Sequence, residues 1–351
     1  MLSENSDFVV VSHMDGGRYI GTGCACITTD PEEGWTNLGT YRIMVQNKNT
    51  LGFYISPGKH GMLHREKWFK QGKPCPVSIS IGHDPLMFLV ASKEFKYGES
   101  EYDIAGYFKG QPIDVIEGKN GIMIPARAEI VAEGYCYPGE EMEEGPFGEW
   151  TGYYSRPKQN TATIRVTRLM HRHNPIILGS PPSKPPNQVS LFNDILRSAL
   201  VWDELEGAGI PGIQDICCHE AGGARFFIAI SIKQKYPGHA KQVAAIAAQC
   251  HAAAYMGRYI VVVDDDIDVS NLEDVMWAVC TRSEPVSDID IMRHCWTGPL
   301  DPIRDKDGYA SRALIDACIP FAQRETFPIV AKISDCLAEQ TIAKWGETLN
   351  S

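Results

Sequence analysis

Five prolines fall within the fifteen residues 174–188, NPIILGSPPSKPPNQ. Each proline fixes φ and removes a backbone donor, so a run this dense continues neither a helix nor an interior strand. The segment is expected to be an irregular linker, placed at 175–189, with one domain at 1–174 and another at 190–351. The grammar changes across it. Before it, short apolar runs, DFVVVSH (7–13), LGFYIS (51–56), VSISIG (77–82) and ATIRVTRL (162–169), are separated by Gly, Pro, Asn and Asp clusters. That spacing predicts many short strands in a barrel or sandwich.

After the linker, Leu191, Ile195, Leu196, Ala199, Leu200 and Leu205 recur at helical spacing, and Gly207 and Gly209 stop the helix. GIQDICC (212–218) and RFFIAISIK (225–233) read as strands. KQVAAIAAQCHAAAYM (241–256) reads as one buried helix ended by Gly257, and RYIVVV (258–263) as a strand. Ser270 and Glu273 have the spacing of a capping box opening the helix EDVMWAVCTR (273–282). Strands alternating with helices predict an α/β domain with some parallel pairing. The expected fold class is therefore α+β overall, with a mixed-sheet α/β domain following a β-rich one.

Composition narrows the partners. A length of 351 residues suits two or three domains. The formal charge of −11 argues against a nucleic-acid binder, which shows a basic face. No apolar run approaches the roughly 18 residues that cross a bilayer. The start, MLSENSDFVVVSHMDGG, lacks the basic and apolar segments of a secretory signal. Eleven scattered cysteines, an odd number, make a poor disulfide framework and suit a reducing cytoplasm.

Common catalytic signatures are missing: no GxxxxGK[ST], GxGxxG after a strand, HExxH, GxSxG or CxxC. Cys24-x-Cys26 and Cys217-Cys218-His219 read as soft-metal ligands or as buried, silent thiols. The acids Asp264, Asp265, Asp266 and Asp268 follow a strand, where they either hold a hard cation or cap backbone donors. In EMEEGPFGE (141–149), Gly145, Pro146 and Gly148 set a tight turn with Glu144 and Glu149 on its two sides. Acids held this close push one pKa up; the plain alternative is a solvated acidic loop. Gly39 permits close approach to a ligand, and Arg42 suits a carboxylate or phosphate. Asn37, His60 and Glu101 would form an O/N set fit for Mn²⁺ or Mg²⁺ if they converged, which spacing alone does not show.

Six segments in order, NLGTYR (37–42), KHG (59–61), EYDIAG (101–106), AEIVAEG (128–134), EGPFGE (144–149) and DDIDV (265–269), with YPGHAK (236–241), resemble the UbiD-type decarboxylase family. These are prenylated-flavin-dependent (de)carboxylases. The resemblance implies a split β-barrel that binds prenylated FMN and an α/β domain that contributes to oligomerisation. It implies that Asn37, His60 and Glu101 hold Mn²⁺ (or Mg²⁺) against the flavin phosphate, and that Trp35, Ala91 and Ser92 form a K⁺ site. Thr22, Gly39, Thr40 and Lys59 would meet the cofactor. Arg42 would orient the substrate carboxylate, Glu149 would protonate the carbon left by CO₂, and Glu144 would hold Arg42.

The implied activity is reversible decarboxylation of an aromatic or α,β-unsaturated acid by a homo-oligomer, dimer or hexamer, with cofactor from a flavin prenyltransferase. Two departures stand out. Family members carry an α/β segment before the barrel, and here the chain starts almost at the barrel. A UbiD-like assembly subunit that needs a partner for turnover is therefore the alternative. Lys59 stands where many members have glutamine, and Ala252 where a lysine near the flavin is expected. A third reading, a metal-dependent hydrolase, would use Asp264–Asp268.

Overall fold

The computed structural model describes residues 14–349 apart from 94, 155 and 180; the expected strand at 7–13 lies outside them. In the first region the strands are β1 (Arg18–Gly21), β2 (Cys24–Thr29), β3 (Thr36–Gly39), β4 (Arg42–Val45), β5 (Thr50–Tyr54), β6 (Cys75–Ile81), β7 (Val115–Glu117), β8 (Met123–Pro125), β9 (Ile130–Glu144) and β10 (Gln159–His171). Helices α1 (His60–Lys70), α2 (Pro85–Ala91) and α3 (Glu101–Lys109) interrupt them. Eight of the strands form one curled antiparallel sheet in the order β1-β4-β5-β10-β9-β6-β2-β3, a half-barrel. β7 and β8 pair separately.

The two-residue period explains why this sheet is buried on both faces. Along β2, Cys24 and Cys26 enter one core with Val77, Ile79 and Phe53. Ala25 and Ile27 enter the other, with Met87, Val90 and Ala105 of the helices. Register shifts in the β9–β10 pair bend the long strands. Gly134 sits at this bend, where a Cβ would collide with the Arg165 carbonyl.

The order of the strands matters for the site. β3 is one edge of the sheet, and β4 lies next to the other edge. Only Thr40 and Tyr41 separate them in sequence. The chain therefore crosses the open seam there, and Asn37 and Arg42 arrive over the seam from opposite sides.

No helix or strand is described between His171 and Gln188. In the second region, α4 (Gln188–Gly207) leads into β11 (Ile213–Cys218), β12 (Phe227–Ile232), α5 (His239–Gln249), α6 (His251–Ala254), β13 (Tyr259–Asp264), α7 (Leu272–Arg282), α8 (Pro285–Asp288), β14 (Ile289–Trp296), β15 (Tyr309–Ala317) and α9 (Asp335–Leu349). The five-stranded sheet has the order β11-β12-β13-β15-β14; β12–β13 and β13–β15 are parallel and the outer pairs antiparallel. The expected mixed sheet is present. Its parallel centre is buried on both faces, Ile260 and Val262 on one and Val261 and Val263 on the other. No described helix is long and apolar enough to cross a membrane.

Three local expectations need correction. The segment 241–256 is two helices, because Cys250 adopts φ −64° and ψ 153° and breaks the ladder. The cap of α7 is Asn271, which accepts from Glu273 and Asp274 N–H; Ser270 turns its hydroxyl to Asp268 instead. α4 forms as expected, but Leu191 and Ile195 are exposed while Arg197, Val201 and Leu205 are buried. Its sequence carries more than one apolar stripe, and periodicity does not say which faces the core.

Candidate active site

A cavity of about 310 Å³ lies between the two regions. Its wall includes Thr22, Asn37, Gly39, Thr40, Arg42, Lys59, His60, Ala91, Ser92, Glu101 and Glu149 from the first region. Of the expected catalytic, cofactor and metal residues, two are not on it. Glu144 is fully buried behind Arg42, and Trp35 lies behind His60.

At one end, Arg42 opens β4 and is 4% exposed. Its Nη2 donates to Glu144 Oε2 at 2.6 Å and its Nη1 to Glu149 Oε1 at 2.8 Å. Tyr54 and Phe147 cover the guanidinium, with ring centroids 4.2 and 5.4 Å from Cζ. Glu144 ends β9 and also accepts from the Tyr19 hydroxyl at 2.9 Å. Tyr19 in turn packs on Phe147, 4.4 Å between centroids. The solvated-loop alternative is excluded: both acids and Phe147 are interior.

Two carboxylates share one guanidinium. Burial pushes the Glu149 carboxyl up; Arg42 opposes this and the Glu144 charge adds to it. Burial lowers the Arg42 value, but the two acids outweigh it and raise it overall. Among the described residues Glu144 accepts from Tyr19 and Arg42, and Glu149 from Arg42. Glu149, whose carboxyl burial pushes up, is the acid of the pair that stands at the cavity wall.

At the other end, Glu101 opens α3 and is 2% exposed. Its Oε2 accepts from Leu38 N–H at 2.7 Å. Burial raises this carboxyl to about 7, and no basic side chain among the described residues pairs with it. Asn37 Nδ2 donates to the Tyr41 hydroxyl at 3.3 Å, so its amide oxygen is the atom available as a ligand. His60 opens α1, its ring set edge-on to Trp35 and Tyr97. A buried carboxylate lacking a countercharge, beside an amide oxygen and an imidazole, is a donor set that fits a hard or borderline divalent cation. Among the described residues no group of three His, Cys, Asp or Glu is placed to hold a metal ion, so the set here would need the Asn37 amide oxygen beside His60 and Glu101.

The other expected metal residues lie nearby. The Ala91 carbonyl accepts from Thr40 N–H at 3.2 Å, the Trp35 carbonyl from Asp30 N–H at 2.9 Å, and Ser92 Oγ donates to Leu89. Ala252 is not on the cavity wall, although its neighbours His251 and Tyr255 are.

Several contributors were invisible in sequence. Tyr41 ties the two arms of the site together: its hydroxyl takes Asn37 and Gly61 N–H, and its ring fills the space a Cβ on Gly39 or Gly61 would need. Tyr19, Trp150, Arg225 and Tyr255 join from distant segments. The only sequence signal is the tyrosine inside NLGTYR; the rest depend on tertiary contacts.

The acidic run after β13 and both cysteine motifs belong to the scaffold. Asp268 accepts from Ser270, Asp266 pairs with Arg282, and Asp264 accepts from Gln234 and Ile319. Asp264, Asp266 and Asp268 are thus engaged by local partners, and no group of His, Cys, Asp or Glu among the described residues is placed to hold the metal that the hydrolase reading needs. Cys24, Cys26, Cys217 and Cys218 are buried free thiols; burial pushes Cys218 up to about 11.

Fold and cavity together define a two-domain α+β protein whose half-barrel and mixed-sheet domain share one cleft. The chain belongs to the 3-octaprenyl-4-hydroxybenzoate carboxy-lyase, or UbiD, family. The profile of that family's Rift-related domain matches residues 8–185, and its C-terminal domain matches 190–317. A phenolic acid decarboxylase of Sedimentibacter hydroxybenzoicus is 31% identical over 320 residues, covering 88% of this chain and 65% of that protein. One from Bacillus subtilis strain 168 is 33% identical over 319 residues, covering 89% and 66%. The chain thus spans just under two thirds of the length of these relatives. Among solved structures, the UbiD-class enzyme HmfF from Pelotomaculum thermopropionicum in complex with FMN superposes with a TM-score of 0.87 at 29% identity, covering 95% of this chain and 73% of that one. Vanillic acid decarboxylase of S. hydroxybenzoicus in open form gives 0.80 at 29% identity, covering 97% and 71%.

Proposed function

We propose that the chain is a prenylated-FMN-dependent, reversible decarboxylase of an aromatic or α,β-unsaturated carboxylic acid. The observation that carries this reading is Arg42 held between Glu144 and Glu149 at the wall of the cavity that also receives Asn37, His60 and Glu101. HmfF has been solved with FMN and, in an evolved dimeric form, with prenylated FMN. When bound, the flavin supplies the electron sink that loss of CO₂ from an sp² carbon requires and no side chain offers.

The roles of the chain's own residues follow from their chemistry. Asn37, His60 and Glu101 would hold Mn²⁺ or Mg²⁺ against the flavin phosphate. The divalent charge would replace the countercharge that Glu101 lacks. Thr22, Gly39, Thr40 and Lys59 would line the flavin. Trp35, Ala91 and Ser92 would offer oxygens to K⁺. Arg42 turns from Glu149 to the substrate carboxylate, a charge-assisted pairing of the kind it already makes. Glu149 then gives its proton to the carbon that lost CO₂ and regains one from solvent. Glu144, fixed by Tyr19, keeps Arg42 in place. The net change is a carboxylate and a proton converted to C–H and CO₂, and the reverse runs through the same groups.

The division into 1–174, a linker at 175–189 and 190–351 belongs to this proposal. So do a homo-oligomer, supported by exposed Leu191, Ile195, Leu337, Ile342 and Trp345, and a flavin prenyltransferase as cofactor source. Eleven free cysteines support a reducing cytoplasm. The test is reconstitution with prenylated FMN, Mn²⁺ and K⁺, followed by isotopic CO₂/bicarbonate exchange across a panel of aryl and acrylic acids. Exchange with at least one acid is expected; bound, correctly oxidised flavin with no exchange on any acid overturns the reading. Glu101→Gln should lower retained Mn²⁺ and flavin together, measured by metal analysis and visible absorbance.

A further inference from the structure

Asp30 follows β2 and is 1% exposed, yet both of its oxygens are engaged. Its Oδ1 accepts from Glu32 N–H at 2.8 Å and Glu33 N–H at 3.1 Å. Its Oδ2 accepts from Lys67 Nζ at 2.7 Å and from the Tyr97 hydroxyl at 2.9 Å. Lys67 also donates to the Tyr97 oxygen at 2.9 Å, so the phenol gives its proton to Asp30 and accepts one from Lys67. Tyr97 is 45% exposed, so burial does not hold it in place; these charge-assisted bonds do.

What they hold is a ring beside His60. The Trp35 centroid lies 5.3 Å from that of His60 at 84°, the Tyr97 centroid 5.7 Å from His60 at 87°, and Trp35 and Tyr97 are 5.2 Å apart at 79°. Three rings in mutual edge-to-face contact form a corner, and turning any one of them about its Cβ–Cγ bond drives it toward the other two. Helix α1 supplies the frame: His60, His64 and Lys67 share one face at i, i+4 and i+7, with the His64 ring 4.5 Å from Trp35. Each ring also rides on a segment that carries a metal donor of the proposed site. Trp35 stands two residues before Asn37, Tyr97 stands four before Glu101, and His60 is itself a donor.

We infer that Tyr97, anchored on Asp30, is a positioning residue for the divalent-metal site: with Trp35 it fixes the plane of the His60 imidazole and the spacing of the three donor segments before the ion arrives. This rests on the proposed assignment of Asn37, His60 and Glu101 to Mn²⁺ or Mg²⁺. A donor set held in advance loses less freedom when the ion binds, so the corner raises metal affinity without touching the ion. The hydroxyl and the ring of Tyr97 act in sequence. The hydroxyl sets where the ring stands, and the ring sets the imidazole.

Titration of the purified protein with Mn²⁺ in the presence of FMN, the free ion read from its paramagnetic resonance, tests this without turnover. Tyr97→Leu should weaken Mn²⁺ binding by roughly 10–100-fold, the range for losing a residue that orients a ligating imidazole. Tyr97→Phe keeps the ring and loses the anchor, and should fall between Tyr97→Leu and the unaltered protein. Tyr107→Leu makes the same change further along α3, on an exposed ring, and should leave binding unchanged. The affinity is that of the folded molecules, so a modest loss of stability alone does not move it. Tyr97→Leu binding as tightly as the unaltered protein, Tyr97→Phe as weak as Tyr97→Leu, or equal weakening by Tyr107→Leu would each overturn the positioning role. Mn²⁺ lost in Glu101→Gln but kept in Tyr97→Leu would sink the corner and leave the metal site standing. No Mn²⁺ binding by the unaltered protein would instead sink the metal site, and the corner with it.

Discussion

Each half of the molecule buries an arginine beside two carboxylates, and the Arg42 cluster opens on the cavity between the two regions. In the half-barrel, Arg42 divides its two Nη atoms between Glu144 and Glu149. In the mixed-sheet region, Arg282 gives both Nη atoms to Asp266 at 2.7 Å each and stands 3.6 Å from Asp264. The oxygens of Asp264 are taken by Gln234 Nε2 at 2.7 Å and Ile319 N–H at 2.6 Å. Arg282 thus closes a local network that ties the ends of β13 and β15 together. Arg42 is shared between two acids, one of which faces the cavity. The same residue types give a brace in one place and an exchangeable clamp in the other. What separates them is which acceptors the backbone has already satisfied.

Replacing each arginine by methionine sets the two clusters against each other, and the largest effect is expected at Arg42. Arg42→Met should lower CO₂ exchange by on the order of 10³-fold, because both substrate orientation and charge balance at Glu149 go with it. Arg282→Met should leave exchange per folded molecule intact. Its stability should fall by about 1–3 kcal/mol, less than for a fully buried pair because Asp266 is half exposed. Urea melts and the exchange assay on the same preparations measure both. Equal losses of activity in the two variants would erase the distinction.

Next comes Glu149→Gln, which keeps a hydrogen-bonding group beside Arg42 and removes the proton. Exchange should drop by roughly 10²–10⁴-fold while flavin absorbance stays, the range for a lost general acid. Loss of flavin along with activity would make Glu149 a structural residue, like Asp266. A smaller effect is expected in the pH profile. Burial first, and the Glu144 charge after it, hold the Glu149 carboxyl above its ordinary range. The acid form is therefore present at low pH and lost as pH rises through that raised value, and protonation of the carbon should slow with it. Glu144→Gln removes the like charge, so this falling limb should move to lower pH. A limb that stays in place would mean that another group sets it.

The two acids of the clamp were legible in sequence as a pair on one turn, Arg42 joined them only through the resemblance, and the partners of the brace were not legible, for a physical reason. EGPFGE fixes two acids on either side of a short rigid turn, so their closeness is a local property. The acids after β13 meet Gln234, Arg282 and Ile319 only because three separate segments pack against one strand end. Alternation and turn residues likewise announced the sheet and the mixed topology. The break at Cys250 and the buried face of α4 stayed hidden, because both depend on what the helices pack against. Asn37, His60 and Glu101 were named by resemblance; their presence on one cavity follows from the chain crossing the barrel seam at Thr40 and Tyr41. Arg225 and Tyr255 gave no signal, since neither spacing nor composition places two residues of one region beside Trp150 of the other.

The smallest effect tests the brace alone. Arg282 holds the Asp266 carboxyl below its ordinary range, and burial of Asp264 pushes that neighbour up. The signs are opposite. A lowered value means that the unfolded chain binds the proton more readily, so Asp266 stabilises the fold above the ordinary carboxylate range and loses that contribution as pH falls through its depressed value. Asp264 works the other way: its raised value means that ionisation is disfavoured in the fold, so its contribution weakens as pH rises. Asp266→Asn should therefore cost only about 0.5–1 kcal/mol at neutral pH, because half of the side chain is in solvent. The gap should close as the pH is lowered. Urea melts of both proteins at neutral and acid pH read it directly. A gap that persists unchanged into acid would mean that Asp266 acts through shape rather than charge, and that the brace around Arg282 is packing with an incidental ion pair.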